Sequence, residues 1–337
     1  MAGNERLASN GAAVVELHQV HKHYPLRRGV LGAFGGASEL AVRAVDGVSL
    51  HVNRGEALGL AGESGCGKTT TGKLLLRLTR PTSGEVLFQG QNVNRFDTTA
   101  LKAFRRQAQL MFQNPYEALN PRFTIERAVL EPLIIHGLGA GEQAQALVIK
   151  ALEAVNLRPA RTFLRKYPHQ MSGGQLQRVV LARALVLNPV FLVADEPVSM
   201  LDVSVRASVL NLMKRLATDL SLAVVYISHD LSLIQYMCQR TAIMYLGRVV
   251  EMGPTQAVIS SPLHPYTQAL IAAVPVPDPD VRRQEPRIRD VVPSAAHIPP
   301  GCRFHPRCPR AMPQCAQEAP PVVEQAPGHV TECWLYV

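Results

Sequence analysis

The stretch Ala57-Leu58-Gly59-Leu60-Ala61-Gly62-Glu63-Ser64-Gly65-Cys66-Gly67-Lys68-Thr69-Thr70 decides the fold of this chain. Its first residues are small or apolar, as in a buried strand, and the residues after Lys68 favour a helix. Between them lies the pattern G-x-x-x-x-G-K-S/T, whose glycines let backbone N–H groups turn toward phosphate oxygens. The sequence therefore predicts an α/β fold with a phosphate-binding loop, in which Lys68 contacts the β- and γ-phosphates and Thr69 ligates Mg²⁺.

A second apolar strand ends in two acids, in the stretch Phe191-Leu192-Val193-Ala194-Asp195-Glu196. Its continuous apolar character is typical of a central strand in a parallel sheet. Paired acids at a strand end are, taken alone, most often part of a solvated surface. Downstream of a phosphate-binding loop they have chemical roles, with Asp195 near Mg²⁺ and Glu196 polarising or deprotonating the attacking water.

The third element is Met171-Ser172-Gly173-Gly174-Gln175, at the start of a helix predicted to run to about residue 187. Ser172 is a favourable N-cap. A serine and two glycines at a helix N-terminus form an anion site that no side chain blocks. The motif alone leaves open a second interpretation, a capped helix that follows a flexible loop.

Length and composition indicate a globular protein, because 337 residues with 47% hydrophobic and 18% charged side chains suffice for one large domain with an appendage. No apolar run approaches the roughly 20 residues of a membrane span, and the N-terminus lacks a signal-peptide pattern. We therefore expect a cytoplasmic chain. The formal charge of +9 is spread along the sequence without a long basic block, so no nucleic-acid partner is expected.

The pattern of the chain changes twice. From about residue 114 to 170 it is helical and punctuated by prolines and glycines, which predicts a helical subdomain. After residue 261 come 15 of the 25 prolines, which predicts a tail with little regular structure. The predicted division is therefore residues 1–261 and 262–337. The Gly-rich segment 27–37 is predicted to be a surface loop.

Four of the six cysteines lie in the tail with the spacing C-x5-C-x6-C-x17-C: Cys302, Cys308, Cys315 and Cys333. In a reducing cytoplasm such a cluster favours a metal over disulfides. The spacing is neither the paired C-x-x-C of zinc sites nor that of a bacterial ferredoxin. The sequence is compatible with two interpretations. In the first, the cysteines bind a metal that supplies folding energy, and in the second, the four thiols bind no metal.

Together these motifs resemble the ATP-binding subunits of ABC transporters, over roughly residues 13–260. The resemblance implies an α/β P-loop NTPase (RecA-like) core with an antiparallel β subdomain and an inserted helical subdomain, followed by a Pro/Cys-rich tail domain. It also adds four roles: Gln113 senses Mg²⁺ and the membrane partner, Asp202 is the D-loop aspartate, His229 contacts the γ-phosphate, and Tyr24 stacks on adenine.

The resemblance then defines a full set of site residues. The expected ATP-binding residues are Tyr24, Gly62, Ser64, Gly65, Cys66, Gly67, Lys68, Thr69, Thr70, Ser172, Gly173, Gly174, Gln175 and Asp202. The expected catalytic residues are Glu196, His229 and Gln113, and the expected Mg²⁺ ligands are Thr69, Gln113 and Asp195. For Tyr24, packing near the N-terminal strand is an equally simple interpretation. In this family two ATPases bind two ATP molecules head to tail, so neither subunit is expected to hydrolyse ATP efficiently alone.

Three further segments, residues 44–50, 261–267 and 301–309, resemble the ATPases of oligopeptide and dipeptide importers. Residues 195–207 are more similar to the second of the two ATPases in those systems. This resemblance implies two transmembrane permeases, a companion ATPase and an extracytoplasmic peptide-binding protein, with the chain on the cytoplasmic face of the inner membrane. Dipeptides, longer peptides, glutathione and nickel complexes all remain open as substrates. For the tail cysteines the resemblance suggests a 4Fe–4S cluster, with Zn²⁺ as the alternative.

Two other functions compete with peptide import. A soluble ABC ATPase that acts on DNA or ribosomes would be expected to carry a long inserted coiled coil or a second cassette, and this sequence has neither. An exporter ATPase is disfavoured by the His-Pro-Tyr-Thr segment at 264–267 and by the cysteine-containing tail.

Overall fold

The computed structural model describes residues 13–25, 41–139, 141–274, 288 and 295–337. Its strands are β1 Ala13–Pro25, β2 Ala41–Asn53, β3 Ala57–Ala61, β4 Ser83–Phe88, β5 Gln91–Asn92, β6 Ala108–Met111, β7 Phe191–Asp195, β8 Ala223–Ser228, β9 Arg240–Tyr245, β10 Arg248–Pro254, β11 Val322–Ala326 and β12 His329–Glu332. Its helices are α1 Lys68–Leu75, α2 Thr98–Gln107, α3 Pro115–Ala118, α4 Ile125–Ile135, α5 Gly141–Ala154, α6 Arg161–Leu164, α7 Gly173–Leu185, α8 Val203–Asp219, α9 Leu231–Met237, α10 Thr255–Ser260 and α11 Pro265–Ala272. The predicted surface loop at 27–37 lies outside the described residues.

The described chain forms two units. The first contains residues 13–16, 51–56, 87–139 and 141–225, and the second contains residues 17–25, 41–50, 57–86, 226–274, 288 and 295–337. No helix in these described ranges is both long enough and apolar enough to span a bilayer.

The first unit combines parallel strands with a group of helices. Strands β6 and β7 pair in parallel, from Ala108 opposite Phe191 to Met111 opposite Ala194. Residues 191–194 are all buried, as expected for a central strand. Because the two strands are parallel neighbours, the residues that follow Met111 and Ala194 emerge at the same edge.

The helical part of the first unit comprises α3 to α6, which lie between Pro115 and Leu164. Helices α4, α5 and α7 pack against one another. Arg183 of α7 fixes this group, because its guanidinium lies 2.8 Å from the carboxylate of Glu131 in α4 and also donates to the carbonyl oxygen of Ala118. Pro115 occupies the first turn of α3, where no backbone donor is lost.

The second unit contains a mixed sheet in the order β11-β12-β10-β9-β3. Strand β3 runs parallel to β9, with Leu58 opposite Arg240, and the remaining neighbours are antiparallel. Strand β3 is buried along its whole length, so the loop that follows it starts from a fixed position. The helix predicted to follow the loop is α1, which begins at Lys68 and ends at Leu75.

The prediction that the tail has little regular structure is wrong. Helix α11 and strands β11 and β12 belong to it, and β12 pairs with β10, where Thr331 lies opposite Glu251. Phe304 lies within the core of the second unit, with ring centroids 5.3 Å from Tyr245 and 5.4 Å from Tyr266. All three rings are fully buried, so the tail contributes to the core of this unit.

Candidate nucleotide-binding site

The loop between β3 and α1 has the backbone that the glycine pattern requires. Gly62, Gly65 and Gly67 have φ values of 148°, 78° and 110°, which strongly favour glycine over other residues. A Cβ atom at Gly67 would also collide with the carbonyl oxygen of Ala44. The second unit therefore holds this segment as a tight loop at the start of a helix, as predicted.

Lys68 lies over this loop. Its ammonium donates to the carbonyl oxygens of Gly62 and Glu63, each at 2.8 Å, and the residue is buried. Burial raises the pKa of the neighbouring Cys66 thiol, so this thiol stays protonated and uncharged. The arrangement places one fixed positive charge on the inner side of the loop.

The N-terminus of α1 is suited to an anion. Its N-cap, Gly67, provides no side-chain acceptor, and the first turn contains no acidic residue. The backbone N–H groups at the start of a helix carry partial positive charge. With Lys68 beside them, they form a donor set that fits phosphate oxygens.

Two further predicted residues belong to the second unit. Tyr24 is near the end of β1 and is 40% exposed, so it is not a packed core residue, and the ammonium of Lys22 lies 4.9 Å from its ring centroid. His229 follows β8 and is exposed. The next residue, Asp230, caps α9 by accepting from the N–H groups of Ser232 and Leu233.

The first unit brings Gln113 and Glu196 together. Gln113 follows β6 and Glu196 follows β7, and the side-chain amide of Gln113 donates to the Glu196 carboxylate at 3.1 Å. Glu196 has a φ of 45°, which is uncommon for a residue with a side chain. Asp195 is the last residue of β7 and is half-buried. Two acids and an amide thus lie at one edge of the parallel strands.

Ser172 caps α7, as predicted. Its hydroxyl accepts the N–H of Gln175 at 3.3 Å, and the Gln175 side chain accepts the N–H of Ser172 at 3.1 Å, which together form a capping box. Gly174 has a packing role that the sequence did not reveal, because a Cβ atom there would collide with the side chain of Val205 in α8. Asp202 is the N-cap residue of α8 and is exposed.

The four tail cysteines influence one another electrostatically. Burial raises the pKa of Cys302 to about 11, and the other three cysteines add to the increase. Each sulfur also accepts one backbone N–H: that of Phe304 to Cys302, of Arg310 to Cys308, of Leu335 to Cys333, and of Met312 to Cys315 at 3.4 Å. Such donors favour the thiolate, which is the form that binds metals.

Comparison with known proteins identifies the family. The model of the ABC transporter family matches residues 45–199, and that of the oligopeptide/dipeptide transporter C-terminal region matches residues 250–315. A Bacillus subtilis (strain 168) protein, named as the oligopeptide transport ATP-binding protein YkfD, is 46% identical over 256 residues, which are 76% of this chain and 77% of that protein. The chain belongs to the ABC transporter ATPases. Within them it is a member of the oligopeptide/dipeptide importer group, as the sequence predicted.

Two other relatives define the extent of the likeness. The glutathione import ATP-binding protein GsiA of Salmonella typhimurium is 45% identical over 82% of this chain, but the match spans only 43% of GsiA. The ATP-binding cassette MJ0796, in a dimeric post-hydrolysis structure with ADP and Pi, aligns with a TM-score of 0.61 and 30% identity, over 72% of this chain and 98% of that one. The predicted P-loop fold and ATPase activity are therefore confirmed.

Several charged residues around the loop of this ABC ATPase could not be predicted from the sequence. Arg307 of the tail pairs with Glu63, and Arg303 pairs with Asp46. The imidazoles of His21 and His23 also contact Asp46, at 2.6 and 3.2 Å. Burial would raise the pKa of Asp46, but these histidines and Arg303 hold it well below its usual value. No local sequence signal marks these pairs, because most partners are far apart in the chain.

Proposed function

We propose that this ABC ATPase couples ATP hydrolysis to the import of dipeptides or oligopeptides. The observation that carries the proposal is the combination of an anion-binding loop, residues 62–70, with a tail that matches the oligopeptide/dipeptide transporter C-terminal region. Glutathione is the second candidate substrate, since GsiA is 45% identical to this chain. Nickel complexes remain a further alternative.

The site residues take the following roles in the proposed reaction. The loop N–H groups and Lys68 bind the phosphates, and Tyr24 stacks on adenine. Glu196 holds and polarises the attacking water, and its hydrogen bond from Gln113 orients the carboxylate. His229 contacts the γ-phosphate. These assignments follow the family pattern at matching positions of this sequence.

Mg²⁺ fits the proposed ligands, Thr69, Gln113 and Asp195, because a hydroxyl, an amide oxygen and a carboxylate are the hard oxygen donors that this ion prefers. When bound, Mg²⁺ neutralises charge on the β- and γ-phosphates. In the first unit, Gln113 and Asp195 lie at the adjacent ends of β6 and β7. Their placement supports the assignment.

A second ATPase is the proposed partner of the exposed segment near Asp202. Met200 is 61% exposed and Val203 is 80% exposed, which suits burial against another chain. We propose a head-to-tail dimer in which residues 172–175 of each subunit contact the nucleotide of the other, as in the family pattern. The companion is proposed to be a different ATPase.

Two permease subunits are the proposed membrane partners. Phe112 and Tyr116 flank Gln113 and are 45% and 56% exposed, so they offer an apolar surface beside the residue that senses the membrane partner. An extracytoplasmic peptide-binding protein would supply the substrate. The chain would then lie on the cytoplasmic face of the inner membrane, held there through the permeases.

A metal centre at Cys302, Cys308, Cys315 and Cys333 is also proposed. The fit rests on four sulfurs that interact with one another and that each accept a backbone N–H. The group proposed at these thiolates is a 4Fe–4S cluster, as the family resemblance implies, with Zn²⁺ as the alternative.

The test begins with purification of the tagged chain from native membranes under anaerobic conditions. Two permeases, a second ATPase and a peptide-binding protein are expected to co-purify, and the peptide-binding protein is then assayed with dipeptides, oligopeptides and glutathione. Within that complex, Lys68→Ala should weaken ATP binding, and Glu196→Gln should retain ATP with little turnover. A chain that purifies without permeases, or with nucleic acid, would refute the transport function.

A further inference from the structure

We propose that two arginines of the tail, Arg303 and Arg307, position the phosphate-binding loop, so that the tail sets the affinity of this ATPase for ATP. The inference rests on the proposed assignment of residues 62–70 as the nucleotide site. Every contact that it uses lies within the second unit. In this proposal the arginines are positioning residues, because they touch the loop and not the nucleotide.

Arg307 holds the second residue of the loop by two parallel hydrogen bonds. Its Nη1 lies 2.8 Å from Oε2 of Glu63, and its Nη2 lies 3.0 Å from Oε1. The Arg307 side chain is only 5% exposed, so water screens this pair weakly. A two-point guanidinium–carboxylate pair is both strong and directional, and it therefore fixes the orientation of the Glu63 side chain.

The backbone of Glu63 is held as well. Its N–H donates to the hydroxyl of Tyr266 in α11 at 2.8 Å, and its carbonyl oxygen accepts from the Lys68 ammonium at 2.8 Å. Glu63, which pairs with Arg307 of the tail, is thus also the residue that helps to position Lys68. A shift of Glu63 would move an acceptor of Lys68.

Arg303 acts on the loop through a second set of contacts. It pairs with Asp46 and donates to the carbonyl oxygen of Leu246. The N–H of Gly247 donates to the carbonyl oxygen of Cys66 at 2.8 Å, and the N–H of Asp46 donates to the carbonyl oxygen of Gly247 at 2.9 Å. The turn at 246–247 is therefore held between Arg303 and the loop, so the tail supports the loop at two points, Glu63 and Cys66.

Nucleotide affinity of the full-length chain tests this inference. Arg307→Ala should raise the Kd for MgATP on the order of tenfold, because the loss of one charged hydrogen-bonded pair corresponds to about that factor. The Kd of Arg307→Lys should lie between those of the wild type and Arg307→Ala, because lysine keeps the charge but cannot form the two-point pair. Arg310→Ala is the matched control, since Arg310 belongs to the same tail and is exposed. In a Glu63→Ala background, Arg307→Ala should have no further effect.

Alkylation of Cys66 by iodoacetamide, followed by peptide mass spectrometry, reports the shape of the loop directly. Cys66 is 4% exposed and should react slowly in the wild-type chain and faster in Arg307→Ala. Cys238, which is 8% exposed in the same unit, is the internal reference for unfolding. Its rate should be the same in both proteins.

The outcomes separate this inference from the proposed function. A higher Kd together with faster alkylation of Cys66 alone supports the positioning role. An unchanged Kd, an unchanged Cys66 rate, or equal acceleration at Cys66 and Cys238 would overturn it. Lys68→Ala serves as the reference: if that variant binds ATP normally, the assignment of the loop itself fails.

Discussion

His264 is expected to make the second unit sensitive to acid. The residue is fully buried at the N-cap of α11, where its Nδ1 accepts the N–H of Tyr266 at 3.1 Å. Burial lowers its pKa from the ordinary value of 6.5 to about 3. Because an acceptor nitrogen must be unprotonated, the folded state requires neutral imidazole.

The expected magnitude follows from proton linkage. Between the folded pKa of about 3 and the unfolded value of 6.5, the unfolded chain binds more protons, so the free energy of unfolding falls as the pH falls. Each pH unit below 6.5 costs about 1.4 kcal/mol, so acidification from about pH 7.5 to about pH 5 should cost about 2 kcal/mol through this residue. Above the unfolded pKa the contribution is fully present.

The variant His264→Asn isolates this contribution. Asparagine is a good N-cap with a side-chain oxygen as acceptor, and it does not titrate. Urea unfolding of both proteins is followed through Trp334, the single tryptophan, whose indole N–H donates to the carbonyl oxygen of Glu318 at 3.0 Å. The loss of stability between the two pH values should be about 2 kcal/mol smaller in the variant. If the proposed centre holds a metal and loses it at low pH, the loss affects both proteins and cancels. An equal loss in both proteins would refute the reasoning.

Four other changes have defined outcomes. The buried Glu251 carboxylate accepts hydrogen bonds from His329 and from the N–H groups of residues 263 and 264. Glu251→Ala should therefore lower the free energy of unfolding of the second unit by about 3–5 kcal/mol, measured by the same urea assay. Gly174→Ala should cost about 1–3 kcal/mol through overpacking against α8. Tyr24→Ala should weaken ATP binding by about 1–3 kcal/mol, whereas Tyr24→Phe should not. Cys308→Ser should lose metal, measured by elemental analysis, and still bind ATP; full metal content would contradict the proposed centre.

The parts of the site that are contiguous in sequence could be predicted well. The loop between β3 and α1, the acids at the end of β7 and the cap at Ser172 each depend on a few neighbouring residues, whose spacing carries the chemistry. The contact between Gln113 and Glu196 also agrees with the roles predicted for them, because each follows one of two adjacent parallel strands. The roles of these residues in hydrolysis stay predictions.

The tail could not be predicted in the same way. Its prolines suggested irregular structure, yet Pro265 begins α11 and Pro313 begins a 3₁₀ helix, positions where the missing N–H costs nothing. Strand β12 joins the sheet through a partner about 80 residues earlier, at Glu251. Pairing over such a distance leaves no periodic signal in a single sequence.

The phosphate-binding loop illustrates where the motif stops being informative. The pattern leaves four of its positions unspecified, and Glu63 and Cys66 occupy two of them. In this chain the Glu63 carboxylate binds Arg307, and the carbonyl oxygen of Cys66 accepts the N–H of Gly247. The unspecified positions therefore connect the loop to its surroundings. The specified positions define the chemistry, because wherever the motif occurs the glycines expose backbone N–H groups and the lysine provides an ammonium for phosphate binding. Since Arg307 lies 244 residues beyond Glu63, the support of the loop depends on the tertiary fold, and two ATPases with the same motif can therefore differ in their affinity for ATP.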